Sequence, residues 1–363
     1  MQENRREDHR AEVTQGGPPC RRTVEKSTRQ ERRLRRGTDK RTAERQKKLM
    51  KYSGIGGQAV MEGIMMRNGD RYSVGVRRPD GEIEVKVEPY RGVLTKHTLM
   101  KIPIIRGVAA FVDSLVIGIR SLMYSATFYD DEEEEKKKAV SMTREEKEAY
   151  ETKKAREDQA FLTGTLVFSI VLAVAVFMVL PYFLTTLLER AVSTRWVLNL
   201  FESVVRVVIF LGYLFLVSRA KDIQRTFEYH GAEHKCINCI EHGLELNVEN
   251  VMKSSREHKR CGTSFLFFVI IVSAVFLMFI QTDSHVLRIV YRILLVPVIA
   301  GVSYEMIRLA GKSDNRFVNL LSMPGLALQR LTTKEPDESE AEVAISAVEA
   351  VFDWKAWQAE NLT

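Results

Sequence analysis

The chain has 363 residues, with 54 Lys and Arg against 47 Asp and Glu and a mean hydropathy of −0.14. A hydrophobic fraction of 45% can build a sizeable core, which excludes disorder over the whole length. Four cysteines in a chain this long exclude a disulfide scaffold.

The charges are segregated along the chain. Residues 1–51 hold 17 Lys and Arg against 8 Asp and Glu, a local net of +9, so the remainder (37 against 39) nets −2. This stretch is polar, Arg-rich and without periodicity, and reads as a disordered basic tail. It lacks the apolar core of a cleavable signal peptide. A solvated tail is the simpler account of its charge, with contact to anionic lipid or RNA as the alternative; no specific nucleic-acid binding is expected.

Residues 52–128 read as a cytoplasmic α+β region. The alternating runs 72–77 and 82–88 flank Pro79-Asp80-Gly81, which predicts a β-hairpin and hence a small sheet. The upstream glycine-rich run 54–63 lacks the Lys-Ser/Thr of a phosphate-binding loop, so its glycines are read as allowing tight turns or close backbone approach. Residues 102–126 are apolar but interrupted by Arg106, Asp113 and Arg120. Three charges at the centre of a bilayer would be costly, so an interfacial, re-entrant or bundle-packed amphipathic helix is expected rather than a fifth span.

Residues 129–160 form a charged linker, with 20 charged residues among the 29 from 130 to 158. Residues 161–302 then carry four expected membrane spans, which makes the fold class a mainly α integral membrane protein. The stretches 161–188 and 263–282 are free of charge for 28 and 20 positions, and about 20 apolar residues suffice to cross a bilayer. The stretch 196–218 is apolar apart from Glu202 and Arg206, and 286–302 apart from Arg288 and Arg292. Glu202 and Arg206 are one turn apart and expected to pair; Arg288 and Arg292 lie near one end and are expected to snorkel. A buried functional ion cluster is the other reading of these four charges. The loop 219–262 carries eight Lys and Arg, the loop 189–195 carries two and 283–285 none. The positive-inside rule therefore places both termini and 219–262 in the cytoplasm of a multi-pass cell-membrane protein. In the C-terminal segment 303–363, Val343, Ala347, Val351 and Trp354 recur at helical spacing, which predicts helix docked on the cytoplasmic region.

The loop 219–262 carries the chemistry. Four of the seven histidines and three of the four cysteines lie between residues 230 and 261. His230-x-x-Glu233-His234 places two imidazoles one helical turn apart, where they can chelate one ion, with Glu233 about 60° round the helix, positioned to act on a metal-bound water. A third ligand must come from elsewhere, and His258 or Cys261 can fold back to supply it. A competing reading is a structural zinc on Cys236-x-x-Cys239 with His258-x-x-Cys261. On one helix, Cys236 and Cys239 lie roughly 140–180° from the histidine face, so one ion cannot use both faces. The metal-free reading is that these groups are packed or surface side chains. Donors of this kind suit zinc, with iron or manganese as alternatives.

The runs Gly56-Gly57-Gln58-Ala59-Val60-Met61-Glu62-Gly63-Ile64-Met65-Met66-Arg67 and Glu228-Tyr229-His230-Gly231-Ala232-Glu233-His234-Lys235 resemble the YqhQ family of bacterial membrane proteins. So do His258-Lys259-Arg260-Cys261-Gly262-Thr263-Ser264-Phe265 and Pro297-Val298-Ile299-Ala300-Gly301-Val302-Ser303-Tyr304-Glu305. The similarity covers roughly residues 54–350. It implies a multi-span membrane protein with a candidate metal site, in a family of unknown function described at most as metal-dependent.

The residues thus predict a cytoplasm-facing zinc hydrolase acting at the membrane surface. Its expected ligands are His230 and His234 with His258 or Cys261, and its general base is Glu233. Arg67 or Arg260 would hold an anionic group, and Glu62 and Glu305 would converge on the same site. An anionic lipid or the juxtamembrane part of a protein is the expected substrate, and homo-oligomerisation is left open. The alternative is a non-enzymatic factor for membrane-protein biogenesis or assembly, with a structural metal. A transporter is the weaker third reading, since no internal repeat is visible.

Overall fold

The computed structural model describes residues 51–92, 102–129, 144–192, 194–280, 282, 284–312 and 315–362. The expected tail, except Lys51, and the acidic part of the linker lie outside these residues. Residues from Lys51 onward form one compact unit.

A four-stranded antiparallel meander, order β1-β2-β3-β4, opens the unit: β1 Gly56–Val60, β2 Gly63–Asn68, β3 Arg71–Arg77 and β4 Ile83–Pro89. The hairpin expected at residues 72–88 is β3–β4, with Val74 opposite Lys86. The glycine-rich run, read from sequence as turns or close approach, is itself the β1–β2 hairpin, with Val60 opposite Gly63. Period-2 alternation gives β2 two buried faces. Ile64 and Met66 join one core cluster, and Met65 joins the other with Val60, Tyr72 and Val74.

Two layers of helix cover the sheet. On one face lies α1, Ile105–Ala126, whose Ile117 enters the cluster of Met65. Two of the three charges that interrupt its sequence are bonded to other elements. Arg106 chelates Glu305 (2.6 and 2.5 Å), and buried Asp113 accepts from the Tyr90 hydroxyl at 2.8 Å. The first half of α1 crosses a later helix closely. A Cβ on Gly107 would lie 2.8 Å from the Gly301 carbonyl oxygen, so small residues set this contact. Its second half lies on the sheet, as a packed helix would, yet the helix is also long and apolar enough to cross a membrane.

Next come α2 Arg144–Val174, a π-turn Ala175–Val179 and α3 Leu180–Leu188, then α4 Arg195–Val217, α5 Lys221–Glu241 and short α6 Val248–Lys253. The chain continues through α7 Gly262–Met278, α8 His285–Lys312, α9 Arg316–Thr332, α10 Glu338–Glu349 and α11 Trp354–Asn361. The single helical run expected through Val343, Ala347, Val351 and Trp354 is two helices, parted at residues 350–353. Val343, Ala347 and Trp354 are buried with Ile64, Met66 and the apolar face of α5.

Among the described residues four helices are long and apolar enough to cross a membrane: Ile105–Ala126, Thr163–Leu188, Arg195–Val217 and Val286–Gly311. The number matches the expectation but the membership does not. The expected third span is the 17-residue α7, about 25 Å long against a hydrocarbon core of about 30 Å. It nevertheless packs against α4, α8 and α9 at the centre of the bundle.

The charges inside the bundle pair. Glu202 accepts from Arg206 at 2.8 Å and from Arg292 at 2.6 Å, tying α4 to α8. Arg206 also donates to the Phe177 carbonyl at 3.1 Å, in the π-turn, where the regular helical ladder is broken. Arg292, expected to snorkel, is instead buried by this bridge. Arg288 stays nearer the end and pairs with Glu189 at 3.2 Å.

Candidate metal centre

The site is built on α5. Nearly every residue from Tyr229 to Glu241 is buried, and the polar ones are satisfied by what packs around them. Lys235 donates to the Met252 and Ser254 carbonyls (2.7 and 3.0 Å), and Asn238 to those of Ser255 and Glu257 (2.6 and 3.1 Å). These bonds hold the loop from 252 to 260 along the helix and bring Cys261 back to the histidines. Gly231 admits the α9–α10 connection. A Cβ there would lie 2.0 Å from the Lys334 carbonyl oxygen.

Among the described residues, His230, His234 and Cys261 are the group whose donor atoms converge, all within 4.8 Å of one another. The His230 Nδ1 donates to the Thr332 carbonyl at 2.9 Å and the His234 Nδ1 to that of Arg256 at 2.5 Å. In the neutral ring each bond fixes the Nδ1–H tautomer, which leaves Nε2 as the nitrogen that could ligate. The His230 Nε2 lies 3.2 Å from the Cys261 sulfur. Tetrahedral zinc with ordinary bond lengths would set this pair about 3.6 Å apart. Donor type and donor number therefore suit a zinc-class ion, which these three residues would hold.

Electrostatics favours the ligand form of the thiol. Burial opposes ionisation of Cys261, but the imidazoles of His230 and His234 outweigh it and hold the thiol well below its ordinary range. Cys261 also caps α7, its sulfur accepting from the Thr263 N–H at 3.3 Å. Burial likewise opposes charge on His230, and the Cys261 thiolate reverses that.

Glu233 stands beside these ligands. Its Oε1 accepts from the Gly57 N–H at 2.9 Å, and its Oε2 lies 4.0 Å from the His230 Nε2. Burial raises its pKa. Gly57 makes the approach of β1 to α5 possible. A Cβ there would lie 2.5 Å from the Met65 carbonyl oxygen and 3.1 Å from the Glu233 Cδ.

The other expected residues separate. His258 is close to His234, with ring centroids 5.6 Å apart, but its Nε2 lies 3.6 Å from Glu241. Burial lowers its pKa. Its backbone is held by buried Gln329, which accepts from the His258 N–H at 2.9 Å and donates to its carbonyl at 2.6 Å. Arg260 bonds Glu241 at 2.5 Å and stacks on Tyr52. Burial works against charge on Glu241, but His258, Arg260 and the Ser53 N–H hold it at about 2. Cys236 and Cys239 lie in the hydrophobic core, on the side of α5 away from the histidines, and burial raises both thiols. They do not meet His258 and Cys261. Glu62 is held by Arg225 (2.8 and 2.9 Å) and the Tyr229 hydroxyl (3.3 Å) in a left-handed conformation at φ 46, pinning the β1–β2 turn to α5. Glu305 is taken by Arg106.

A cavity of about 540 Å³ adjoins the ligands. His230, Glu233, His234 and Cys261 form one wall, and Arg67, Arg260 and Arg308 line it with Asp113, Ile117 and Tyr304. Gln329, Tyr304, Arg308 and the Thr332 carbonyl, which reach the site from α8 and α9, were given no role from sequence; of these only Tyr304 lies in a motif run.

The fold defines a class: a mainly helical protein with, among the described residues, four helices long and apolar enough to cross a membrane, a small antiparallel sheet, and a His/His/Cys cluster on α5 and the start of α7. The chain belongs to the family described as Protein of unknown function (DUF1385), whose model matches residues 102–354. It is 37% identical over 309 residues to the Uncharacterized protein YqhQ of Bacillus subtilis (strain 168), covering 84% of this chain and 94% of that relative. No solved structure matches it.

Proposed function

We propose that this protein is an integral membrane metalloenzyme, a hydrolase, whose ion is held by His230, His234 and Cys261. The observation that carries this reading is the convergence of three donors on the wall of a large cavity, with a buried carboxylate beside them. Zinc, when bound there, supplies a Lewis acid and a water acidic enough to deprotonate near neutral pH. Glu233 is the general base. Gly57 occupies its Oε1, which leaves Oε2 to take a proton from the attacking water. The Thr332 and Arg256 carbonyls keep both imidazoles in the ligating tautomer. Arg67 holds an anionic group of the substrate, while Arg260, the other residue expected there, is engaged by Glu241.

The site faces the cytoplasm in this reading. The basic segment 219–262 contains the site, and α4 ends, α7 begins and α8 returns on the cavity side of the bundle. Both termini are then cytoplasmic.

One observation favours a second reading, an assembly factor with a structural ion: the three donors tie α5 of the soluble layer to the first turn of α7. Elemental analysis of detergent-purified protein separates the two. Wild type and Cys236→Ser/Cys239→Ser should hold one ion per chain, and Cys261→Ser should lose it. Metal-free wild type, or loss confined to the Cys236 and Cys239 variant, overturns the site. Glu233→Gln should keep the ion yet fail to complement a deletion strain. Full complementation by Glu233→Gln leaves the structural ion.

A further inference from the structure

The cavity has two kinds of wall. One is the ligand-bearing face of α5. The other comes from α1 and α8, two of the helices long and apolar enough to cross a membrane, through Ser114 and Ile117 on α1 and Ile307 on α8. Ser114 is both a wall residue and exposed, so the cavity reaches the surface along α1. The outward face of α1 beside it is apolar. Val112, Leu115, Ile119 and Leu122 are exposed at helical spacing, Leu115 by 49%. A stripe of this kind is covered by lipid when a helix lies in the interface. The polar end of the cavity is cationic. The Arg67 guanidinium lies over Tyr90 at 5.2 Å and donates through Nε to the Gly69 carbonyl at 3.3 Å, with no carboxylate paired to it among the described residues. Arg308 meets Glu305 at 3.6 Å, but Arg106 already chelates that carboxylate.

We infer that the cavity takes an amphiphile with a net anionic phosphoryl head directly from the bilayer, with Arg67 and Arg308 binding the head and the gap beside α1 admitting the chain. Guanidinium forks match phosphate oxygens, and the apolar rim matches an acyl tail. The inference rests on the hydrolase reading for what happens after binding; the binding itself does not need it.

The test is native mass spectrometry of the detergent-solubilised full chain with added phosphatidylglycerol, phosphatidylcholine or glycerol phosphate. Phosphatidylglycerol should bind at least tenfold more tightly than phosphatidylcholine. Arg67→Gln/Arg308→Gln should abolish that preference. Arg78→Gln, on the far β3–β4 turn, should keep it. Ser114→Trp should weaken lipid binding without touching glycerol phosphate. Equal binding of both lipids overturns the inference, as does glycerol phosphate competing as well as the lipid or a preference that survives the double substitution. Turnover of a soluble phosphate ester without lipid preference would spare the hydrolase reading and sink this one. Selective lipid binding without turnover, in protein that holds its ion, would do the reverse.

Discussion

Replacing Gly231 by Ala tests whether the site depends on how closely the α9–α10 connection crosses α5. The new Cβ would sit 2.0 Å from the Lys334 carbonyl oxygen, 3.2 Å from the Lys334 carbonyl carbon and 3.3 Å from the Pro336 Cδ. An ordinary carbon–oxygen contact is more than an ångström longer, and the atoms in the way are backbone. The connection must move outward. Two bonds depend on its position: Lys334 N–H to the Phe227 carbonyl and His230 Nδ1 to the Thr332 carbonyl, both 2.9 Å. Losing these and overpacking the contact costs about 3 kcal/mol, against which the helix gains about 1 kcal/mol from Ala over Gly. A net loss of about 2 kcal/mol corresponds to a fall on the order of 5 °C in thermal midpoint. Removing the carbonyl that orients His230 should also weaken zinc about 10- to 100-fold. Differential scanning fluorimetry and competition with a chromogenic chelator read the two effects. A variant with an unchanged midpoint and zinc affinity within twofold would refute both the close crossing and the role given to Thr332.

Two further outcomes follow from buried charges. Glu202→Ala leaves Arg206 and Arg292 facing each other inside the bundle without a carboxylate, and should destabilise by about 3–5 kcal/mol; a detergent melting midpoint equal to wild type would show that the bridge is not formed. Burial raises the pKa of Glu340 to about 7, against which its bonded Asp337 N–H and nearby Arg225 act only in part. Since the folded value lies above the unfolded one of 4.5, this group's contribution is full below pH 4.5 and lost as pH rises through 7. Up to about 3 kcal/mol is at stake. Glu340→Gln keeps the capping-box acceptor without ionising, so its midpoint should fall less between pH 5 and pH 8 than that of wild type. Equal falls would remove Glu340 as the cause.

What could be read from the chain alone is what local pattern controls. Long apolar runs marked three of the four helices able to cross a membrane, two of them in spite of interior charges, because hydrocarbon demands length and apolarity of each segment by itself. Alternation around Pro79-Asp80-Gly81 marked the β3–β4 hairpin, since turn chemistry and pleat act over a few residues. The i, i+4 spacing put His230 and His234 on one face of α5 for the same reason. The third donor was not local. His258 and Cys261 were equal candidates until Asn238 and Lys235 drew the loop along α5, turning His258 toward Glu241 and Cys261 toward the imidazoles. Cys236 and Cys239 looked like ligands by spacing, and only the packing of α10 over them makes them core. Arg292 looked like a snorkelling residue by its place near a helix end, and Glu202 on another helix decided otherwise. Glu62 shares the glycine-rich motif with Arg67, yet Arg225 holds it at the turn while Arg67 reaches the cavity. In each case the deciding partner lies on a different element, and side-chain spacing along one element carries no information about which neighbour it will meet.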